Sequence, residues 1–223
     1  MPSPPTVGVV GVSGTGKSST VNALFGTALP VSHTTAGTRG FRSADLLAGT
    51  TPIRVLDAPG LGEDARHDPG YLREYAERLP SCDVILWVLT ARNRGLALDQ
   101  AYLRELAPHR DRLVFGVNQV DLIAPGDWEH GPNLPSEAQE QHLLEILEDR
   151  KARLAATLGC ARPVVGYSAV RAYRLQELFT ALTGACPPGR ATALRAAKRL
   201  RPDRAALERR RERAHLRRET AHP

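Results

Sequence analysis

The stretch that decides the fold is Thr6-Val-Gly-Val-Val-Gly-Val-Ser-Gly-Thr-Gly-Lys-Ser-Ser-Thr20. In it, Gly11 is followed by four residues and then by Gly16-Lys17-Ser18, which is the spacing of a phosphate-binding loop. The apolar residues before Gly11 predict a buried strand, and the apolar spacing over residues 20–25 predicts a helix. Because such a loop joins a strand to a helix, this context supports the motif. The alternative is an ordinary glycine-rich turn with a solvated lysine.

The residue types of this loop are suited to holding phosphate. Glycines let the backbone N–H groups approach the anion, and the start of the following helix adds a positive partial charge. We expect Lys17 to reach the β- and γ-phosphates and the Ser18 hydroxyl to ligate Mg²⁺. The predicted nucleotide contacts of the loop are Ser13, Gly14, Thr15, Gly16, Lys17, Ser18 and Ser19.

The rest of the chain alternates predicted strands and helices. The patterns predict strands at 41–48, 53–57, 83–90, 113–117 and 163–167, and helices at 71–79, 99–106, 136–158 and 175–182. The first two of these strands are predicted to form a hairpin through residues 49–51. This order predicts a three-layer α/β fold with a mainly parallel sheet, one antiparallel edge hairpin strand and a basic C-terminal tail.

Local signals mark the long helix and the insertion before it. Ser136 and Gln139 are predicted to form a capping box at the start of the helix, and Gly159 to end it. The insertion, residues 124–136, carries Trp128. We expect this indole to anchor its own loop by packing rather than to bind a ligand.

Charge is distributed unevenly over the 223 residues. The net charge is +6, but residues 187–223 hold 12 Arg or Lys against 4 Asp or Glu. We therefore divide the chain into an N-terminal extension (1–5), one domain (6–186) and a basic tail (187–223) that is helical or disordered. The sequence has no apolar run of membrane-spanning length and no secretory signal, and its three cysteines are widely spaced. These features predict a cytoplasmic protein with reduced thiols.

Polar motifs follow four of the predicted strands: the phosphate loop, Asp57, Asn118 to Asp121, and Ser168-Ala169. In an open α/β sheet, ligands bind at the carboxyl ends of the strands. Each motif alone has a plain structural explanation as a turn or a helix cap. Their common position at strand ends favours one shared site.

This ordered set resembles the G domain of P-loop NTPases, in the Era-like branch of the translation-factor GTPases. Asp57-Ala58-Pro59-Gly60 looks like the switch II motif, in which the aspartate holds Mg²⁺ through water and the Gly60 N–H senses the γ-phosphate. Thr38 best matches the switch I threonine that ligates Mg²⁺. Thr34 and Thr35 are the nearby alternatives. The resemblance implies GTP or GDP and Mg²⁺ as ligands, with Ser18, Thr38 and Asp57 at the metal.

The base-recognition motif of that family, Asn-Lys-x-Asp, resembles Asn118-Gln119-Val120-Asp121. Asp121 can accept hydrogen bonds from the guanine N1–H and N2–H₂ groups, a donor pair that adenine lacks. Ser168-Ala169 looks like the last motif of the family, whose backbone N–H contacts the guanine oxygen. A simple N-cap is the alternative for this pair. The implied base contacts are Asn118, Gln119, Asp121, Ser168 and Ala169.

Further residues are similar to the bacterial YfjP-type GTPases, which are described broadly with the 50S ribosome-binding GTPase domain. The resemblance covers residues 5–185. The matching positions are Cys82 to Trp87, Leu98-Asp99, the insertion with Trp128, and the helix start with Ser136, Gln139 and Gln141.

Three positions depart from the family pattern. Gln119 replaces the lysine that normally covers the guanine ring and touches the phosphate loop, so we expect weaker nucleotide binding. Leu61 stands where Ras-type proteins carry the water-orienting glutamine, and a leucine cannot orient water. Gly14 occupies the place of the asparagine with which some Era-like relatives bind potassium, so potassium-dependent hydrolysis is not expected.

The sequence thus predicts a slow GTPase that acts as a switch, with Lys17, Thr38 and Gly60 as the catalytic residues. A partner protein or a second G domain is expected to accelerate hydrolysis. A guanine-nucleotide-binding module with negligible hydrolysis is the second hypothesis, and an ATP-using P-loop enzyme such as a kinase is the third.

The basic tail, residues 187–223, carries three hypotheses of its own. It is a solvated segment, a segment that binds RNA or the ribosome through phosphates, or a helix on anionic membrane. Its leucines, Leu194 and Leu200 among them, are expected to be too sparse to join a core. The last two hypotheses add ribosome or peripheral membrane association to the cytoplasmic location.

Overall fold

A computed structural model of the chain describes residues 3–28, 42–48, 50–57, 68–93, 95–105, 107–131 and 133–200. The strands are β1 (Thr6–Val10), β2 (Arg42–Ala48), β3 (Thr51–Asp57), β4 (Val84–Thr90), β5 (Leu113–Asn118) and β6 (Val164–Gly166). The helices are α1 (Lys17–Phe25), α2 (Asp68–Arg78), α3 (Ala97–Glu105), α4 (Glu137–Leu158), α5 (Leu175–Ala185) and α6 (Pro188–Ala196).

The six strands form one sheet in the order β2-β3-β1-β4-β5-β6. The β2–β3 pair is antiparallel and the other four pairs are parallel, which confirms the predicted fold class. Val9 lies opposite Asp57 of β3, and Thr90 at the end of β4 lies opposite Asn118 of β5. The parallel strands therefore bring their carboxyl ends, and the motifs that follow them, to one edge of the sheet.

Two hydrophobic cores cover the two faces of this sheet, because the central strands are apolar on both sides. On β4, Trp87 faces the core shared with α2, α3 and α4. Its neighbour Val88 faces the other core, which contains residues of α1, α5 and α6. Helices thus form a layer on each face, as the strand–helix alternation predicts.

Element boundaries differ from the predicted ones mostly at helix starts. Helix α1 begins at Lys17 rather than at residue 20, and α2 begins at Asp68 rather than at residue 71. The first turn of α1 is polar because it follows the phosphate loop, so hydrophobic spacing does not detect it. The predicted hairpin is present, but β3 begins at Thr51, two residues before its predicted start.

The start of α4 corrects one detail. Ser136 is the N-cap, and its hydroxyl accepts a hydrogen bond from the Gln139 N–H at 3.1 Å, as predicted. The predicted return bond of a capping box, from the Ser136 N–H to the Gln139 amide oxygen, is wrong, because that buried oxygen has no hydrogen-bond partner. The amide nitrogen of the fully buried Gln139 donates to the Ile123 carbonyl at 2.9 Å. Gln139 therefore ties α4 to the loop after β5. Gly159 ends the helix in a left-handed conformation, as expected.

The first part of the basic tail packs on the sheet. Leu194 of α6 is fully buried, so the expectation that the tail leucines are too sparse for a core is wrong at this position. Arg190 of α6 donates to both carboxylate oxygens of Asp83 at 3.1 Å, and also to the carbonyls of Ser3 and Pro4. The domain boundary stays a prediction, and the packing of α6 favours a place after residue 200 rather than after 186.

The insertion before α4 is anchored by Trp128, as expected. Its indole is buried, donates to Asn133 Oδ1 at 3.2 Å and packs edge-on against Tyr173 at 5.1 Å between ring centroids. Asn133 in turn donates to the Arg171 carbonyl at 2.9 Å. The insertion thereby supports the loop that contains Ser168-Ala169. Within the described ranges, no helix is long and apolar enough to cross a membrane.

Candidate functional site

The phosphate loop joins β1 to α1 at the carboxyl edge of the sheet. Gly11 and Gly16 have φ angles of 137° and 88°, where a side chain is strained. A Cβ at Gly11 would overlap the Val88 carbonyl, and one at Gly16 would overlap the Asn118 amide. Glycine is therefore required at both positions, by backbone conformation and by the close approach of β4 and β5.

Lys17 is the first residue of α1 and folds back over the loop. Its ammonium donates to the carbonyls of Gly11 and Val12, both at 3.1 Å. The buried Thr15 hydroxyl also donates to the Val12 carbonyl, at 2.9 Å. These bonds hold the charged group at the mouth of the loop, where it can meet a phosphate. Ser13, Ser18 and Ser19 are half-buried around it.

Asn118 connects the phosphate loop to the loop after β6. Its side chain is almost fully buried, and its amide nitrogen donates to the Thr15 carbonyl at 2.9 Å. Its amide oxygen accepts from the Ala169 N–H at 3.1 Å. Ala169 is one of the two residues predicted to contact guanine through a backbone N–H, and its N–H is thus engaged by Asn118.

Gln119 makes a second connection to the phosphate loop. Its amide nitrogen donates to the Gly14 carbonyl at 3.1 Å, and its amide oxygen accepts from the Thr90 hydroxyl at 2.7 Å. The residue therefore touches the loop although it is shorter than the lysine of the family pattern. Thr90 was not identified from the sequence as a residue of the site. Its position as a polar residue at the end of a buried strand was the available signal.

Asp121 lies in a short 3₁₀ turn, Val120–Leu122, directly after β5. Its side chain is only 7% exposed, and Arg171 Nε lies 3.8 Å from its carboxylate. That distance is too long for a hydrogen bond, so the arginine contributes charge without occupying an acceptor position at that oxygen. Arg171 was not identified from the sequence either, because its contact with Asp121 is set only by the fold.

Ser168 is buried and organises its own loop. Its hydroxyl accepts from the Arg171 N–H at 3.0 Å, and its backbone pairs with Tyr173 in both directions. The preceding residue, Tyr167, has a fully buried hydroxyl 2.7 Å from Thr20 Oγ1. Burial raises the pKa of Tyr167, so this phenol stays protonated. The loop after β6 is thereby bonded to α1 as well.

A cavity of about 140 Å³ lies beside the phosphate loop, between Ser13, the end of β4 and the start of α3. Asp99 lines it, is 7% exposed and accepts a hydrogen bond from the Trp87 indole at 2.8 Å. Burial raises the pKa of the Asp99 carboxyl, although Arg150 and Lys17 act in the opposite direction. The buried Arg150 guanidinium donates to the Asn93 carbonyl. Arg150 therefore supports the loop between β4 and α3 from α4.

The switch residues are the part of the predicted site that the structure does not describe. Thr34, Thr35, Thr38, Gly60 and Leu61 lie outside the described residues. Asp57 is described by its backbone alone, at the end of β3 opposite Val9. Among the described residues, no group of three or more His, Cys, Asp or Glu side chains could hold a metal ion.

A strand, a glycine loop, a lysine at the first turn of a helix and two further loops from β5 and β6 define a P-loop nucleotide-binding domain. The chain belongs to the family described as "50S ribosome-binding GTPase", whose model matches residues 6–119, more than half of the chain. This confirms the resemblance drawn from the motifs.

Individual relatives agree with this assignment. The uncharacterized protein YfjP of Escherichia coli strain K12 is 37% identical over 142 residues, which are 62% of this chain and 48% of YfjP. GTPase Era of Brucella suis biovar 1 is 28% identical over 155 residues, which are 69% of this chain and 48% of that protein. The chain thus spans about half the length of the curated relatives it matches.

Solved structures show the same fold. The crystal structure of Era in complex with MgGDPNP and nucleotides 1506–1542 of 16S ribosomal RNA superimposes with a TM-score of 0.63. The alignment covers 89% of this chain and 59% of that one, at 21% sequence identity.

Proposed function

We propose that this chain binds guanine nucleotide and hydrolyses GTP slowly to GDP and phosphate, as a molecular switch. One observation carries the proposal. Two consecutive amides, those of Asn118 and Gln119, donate to two consecutive carbonyls of the phosphate loop, those of Thr15 and Gly14. The loop for the phosphates and the loop for the base are thereby held at a fixed separation, as the two ends of one nucleotide require.

Asp121 supplies the specificity for guanine in this proposal. Its carboxylate is largely removed from water, so a ligand that leaves it without donors is strongly disfavoured. Guanine offers N1–H and N2–H₂ side by side, and adenine offers no such pair. Ser168 and Ala169 would contact the same base from the loop after β6.

The phosphate loop supplies the charge stabilisation. Its N–H groups, the N-terminus of α1 and Lys17 would hold the phosphates and the negative charge that develops during hydrolysis. Mg²⁺ takes only oxygen ligands, which fits the hydroxyls of Ser18 and Thr38 and the carboxylate of Asp57. Gly60 would sense the γ-phosphate through its N–H. When bound, the ion would neutralise phosphate charge.

Slow turnover follows from what the chain lacks at two positions. Leu61 cannot orient the attacking water, and Gly14 has no side-chain oxygen for a monovalent cation. We therefore propose that an activating protein or a second G domain accelerates hydrolysis. A specific rate of phosphate release that rises with protein concentration would indicate a dimer. A rate that stays near zero with every candidate partner would favour the second hypothesis, a binding module.

Partners other than the nucleotide are proposed from charge. The Era structure named above contains ribosomal RNA, and this chain carries its excess of arginine in residues 187–223. RNA or ribosome binding in the cytoplasm is therefore our first proposal, and association with anionic membrane the second. Salt-dependent binding of ribosomal RNA that is lost on deleting residues 201–223 would support the first. Co-sedimentation with anionic vesicles but not with RNA would support the second.

The nucleotide proposal is tested by displacing a fluorescent GDP analogue, with Mg²⁺ present, by GTP, ATP and xanthosine triphosphate. We expect displacement by GTP but not by ATP. Xanthine has a carbonyl in place of the guanine amino group. Asp121→Asn should therefore reverse the preference for GTP over xanthosine triphosphate. GTP should then bind about 100-fold more weakly and the xanthine nucleotide more tightly. Asp111→Asn, at an exposed carboxylate, is the matched control. Equal displacement by GTP and ATP would contradict the proposal and favour an ATP-using enzyme.

A further inference from the structure

We propose that Thr90 is a positioning residue for nucleotide binding, which acts by orienting the Gln119 amide toward the phosphate loop. The proposal rests on the proposed guanine-nucleotide site and deepens it. Thr90 ends β4 and lies directly opposite Asn118, so its hydroxyl points at the start of the base-recognition loop. It needs no contact with the ligand to act.

The hydrogen bonds around Thr90 fix the direction of each donor. The Arg92 N–H donates to the Thr90 hydroxyl oxygen at 3.2 Å. The hydroxyl proton is given to Gln119 Oε1 at 2.7 Å, since this amide oxygen can only accept. The NH₂ group of the same amide must then face the opposite way, where the Gly14 carbonyl lies at 3.1 Å. The chain Arg92–Thr90–Gln119–Gly14 therefore has one consistent polarity.

The backbone of Gln119 supports a functional reason for this arrangement. Its φ angle is 65°, in the left-handed region that a residue with a Cβ enters at a cost. A glycine would relieve that strain but would lose the amide. This strained conformation therefore coexists with two side-chain hydrogen bonds, which join the loop after β5 to the phosphate loop and to the end of β4.

The link that Gln119 makes between the two loops carries no charge. A lysine at position 119 would reach the Gly14 carbonyl with any of its three N–H groups and would need no orienting partner. Glutamine has one donor end and one acceptor end, so it can turn over and present its oxygen to the carbonyl. The Gly14 carbonyl, which can only accept, and the Thr90 hydroxyl, which donates to the other end of the amide, together hold Gln119 against this inversion. The need for Thr90 is therefore a consequence of Gln119.

A double-mutant cycle in the full chain tests this dependence, with the dissociation constant of a fluorescent GDP analogue as the readout. Thr90→Val removes the hydroxyl and keeps the shape, and should weaken binding about 3- to 10-fold, the effect of one hydrogen bond. Thr90→Ser should bind as the wild type does. In a Gln119→Lys background, Thr90→Val should change the affinity by less than about 2-fold, because the lysine needs no orientation. Thr180→Val, at an exposed threonine of α5, is the matched control.

Two results would overturn the proposal: an unchanged affinity in Thr90→Val, or an equal loss in the wild-type and Gln119→Lys backgrounds. A general folding defect would appear as a loss in both backgrounds together with a lower melting temperature. If the wild type does not prefer GTP over ATP, the guanine-nucleotide function itself fails. If it does prefer GTP and the cycle shows no coupling, only the role of Thr90 fails.

Discussion

The Tyr167 hydroxyl donates to Thr20 Oγ1 across 2.7 Å, in a part of the protein that water does not reach. Thr20 uses its own proton for the Gly16 carbonyl at 2.8 Å, so the phenol must be the donor of this pair. The end of the sheet is thereby bonded to the first turn of the helix that follows the phosphate loop. We expect this bond to support the loop from behind.

Tyr167→Phe should lower the free energy of unfolding by about 1–3 kcal/mol, because it leaves a buried acceptor unsatisfied. GDP affinity should fall with it. The double variant Tyr167→Phe/Thr20→Val removes both polar groups and should lose less than the sum of the single changes. Urea unfolding measures the stabilities. Strictly additive losses would show that the two hydroxyls act independently.

Lys17→Ala should abolish tight nucleotide binding, because it removes the ammonium that lies over the phosphate loop and donates to the carbonyls of Gly11 and Val12. Titration with a fluorescent GDP analogue measures the affinity. The control is Lys151→Ala, at an exposed lysine paired with Glu148 on α4. An unchanged affinity for GTP in Lys17→Ala would count against the whole proposed function.

Arg190→Ala should lower the free energy of unfolding by about 2–4 kcal/mol, because it removes bonds to Asp83 and to two backbone carbonyls near the N-terminus. Lys151→Ala, which removes an exposed ion pair, should cost less than about 1 kcal/mol. Equal losses in the two variants would show that Arg190 contributes no more than a surface charge.

The end of the packed domain can be located by truncation. Removing residues 187–223 deletes the fully buried Leu194, so we expect a loss of at least about 2–5 kcal/mol, the range for a single buried leucine cut to alanine. Removing residues 201–223 keeps α6 and should leave the melting temperature unchanged. If both truncations melt at the temperature of the full chain, α6 does not belong to the cooperative unit.

Asp99 gives the protein a predictable response to pH. Because burial holds its pKa above the ordinary value of 3.8, the folded state binds its proton more tightly than the unfolded state does. The stability from this group is fully present below pH 3.8 and is lost as the pH rises through the higher folded pKa. Asp99→Asn should remove this decline and be at least as stable as the wild type at neutral pH.

Unfolding measured in urea across this pH range tests the response of Asp99, with Asp111→Asn as the exposed control. The neighbouring charges of Arg150 and Lys17 act against the effect of burial. If Asp99→Asn is much less stable than the wild type at neutral pH and equal to it in acid, those charges outweigh burial and the sign is reversed.

Local sequence patterns were sufficient to predict the order of strands and helices and the fold class. The loop that ends in Gly16-Lys17-Ser18 has its predicted strand and helix, and the hairpin of β2 and β3 follows from turn residues between two apolar runs. Contacts between distant segments were not predictable in the same way. Gln139 fits a capping box by spacing, but its amide oxygen makes no such bond, and its amide nitrogen donates to the Ile123 carbonyl, which only the fold brings near.

The same limit applies to the site. Asn118 and Asp121 are found by their motif, since strand ends meet at one edge of the sheet. Thr90 bonds to Gln119, 29 residues away, and Arg171 lies beside Asp121 of another loop. No local sequence pattern marks such pairs. The burial of Leu194 was not predicted because four widely spaced leucines in an arginine-rich stretch resemble a solvated segment until the core that covers this residue is known.

The bonds from Arg190 to the carbonyls of Ser3 and Pro4 have a consequence for assembly. They place the segment before β1 beside α6, at the amino ends of the strands. The phosphate loop lies at the opposite edge of the sheet, after the carboxyl end of β1. Arg199 reaches the same side, where its N–H donates to the Leu24 carbonyl at the end of α1. A tag or tether attached directly at Ser3 or at residue 200 would therefore start on the side of the sheet away from the phosphate loop.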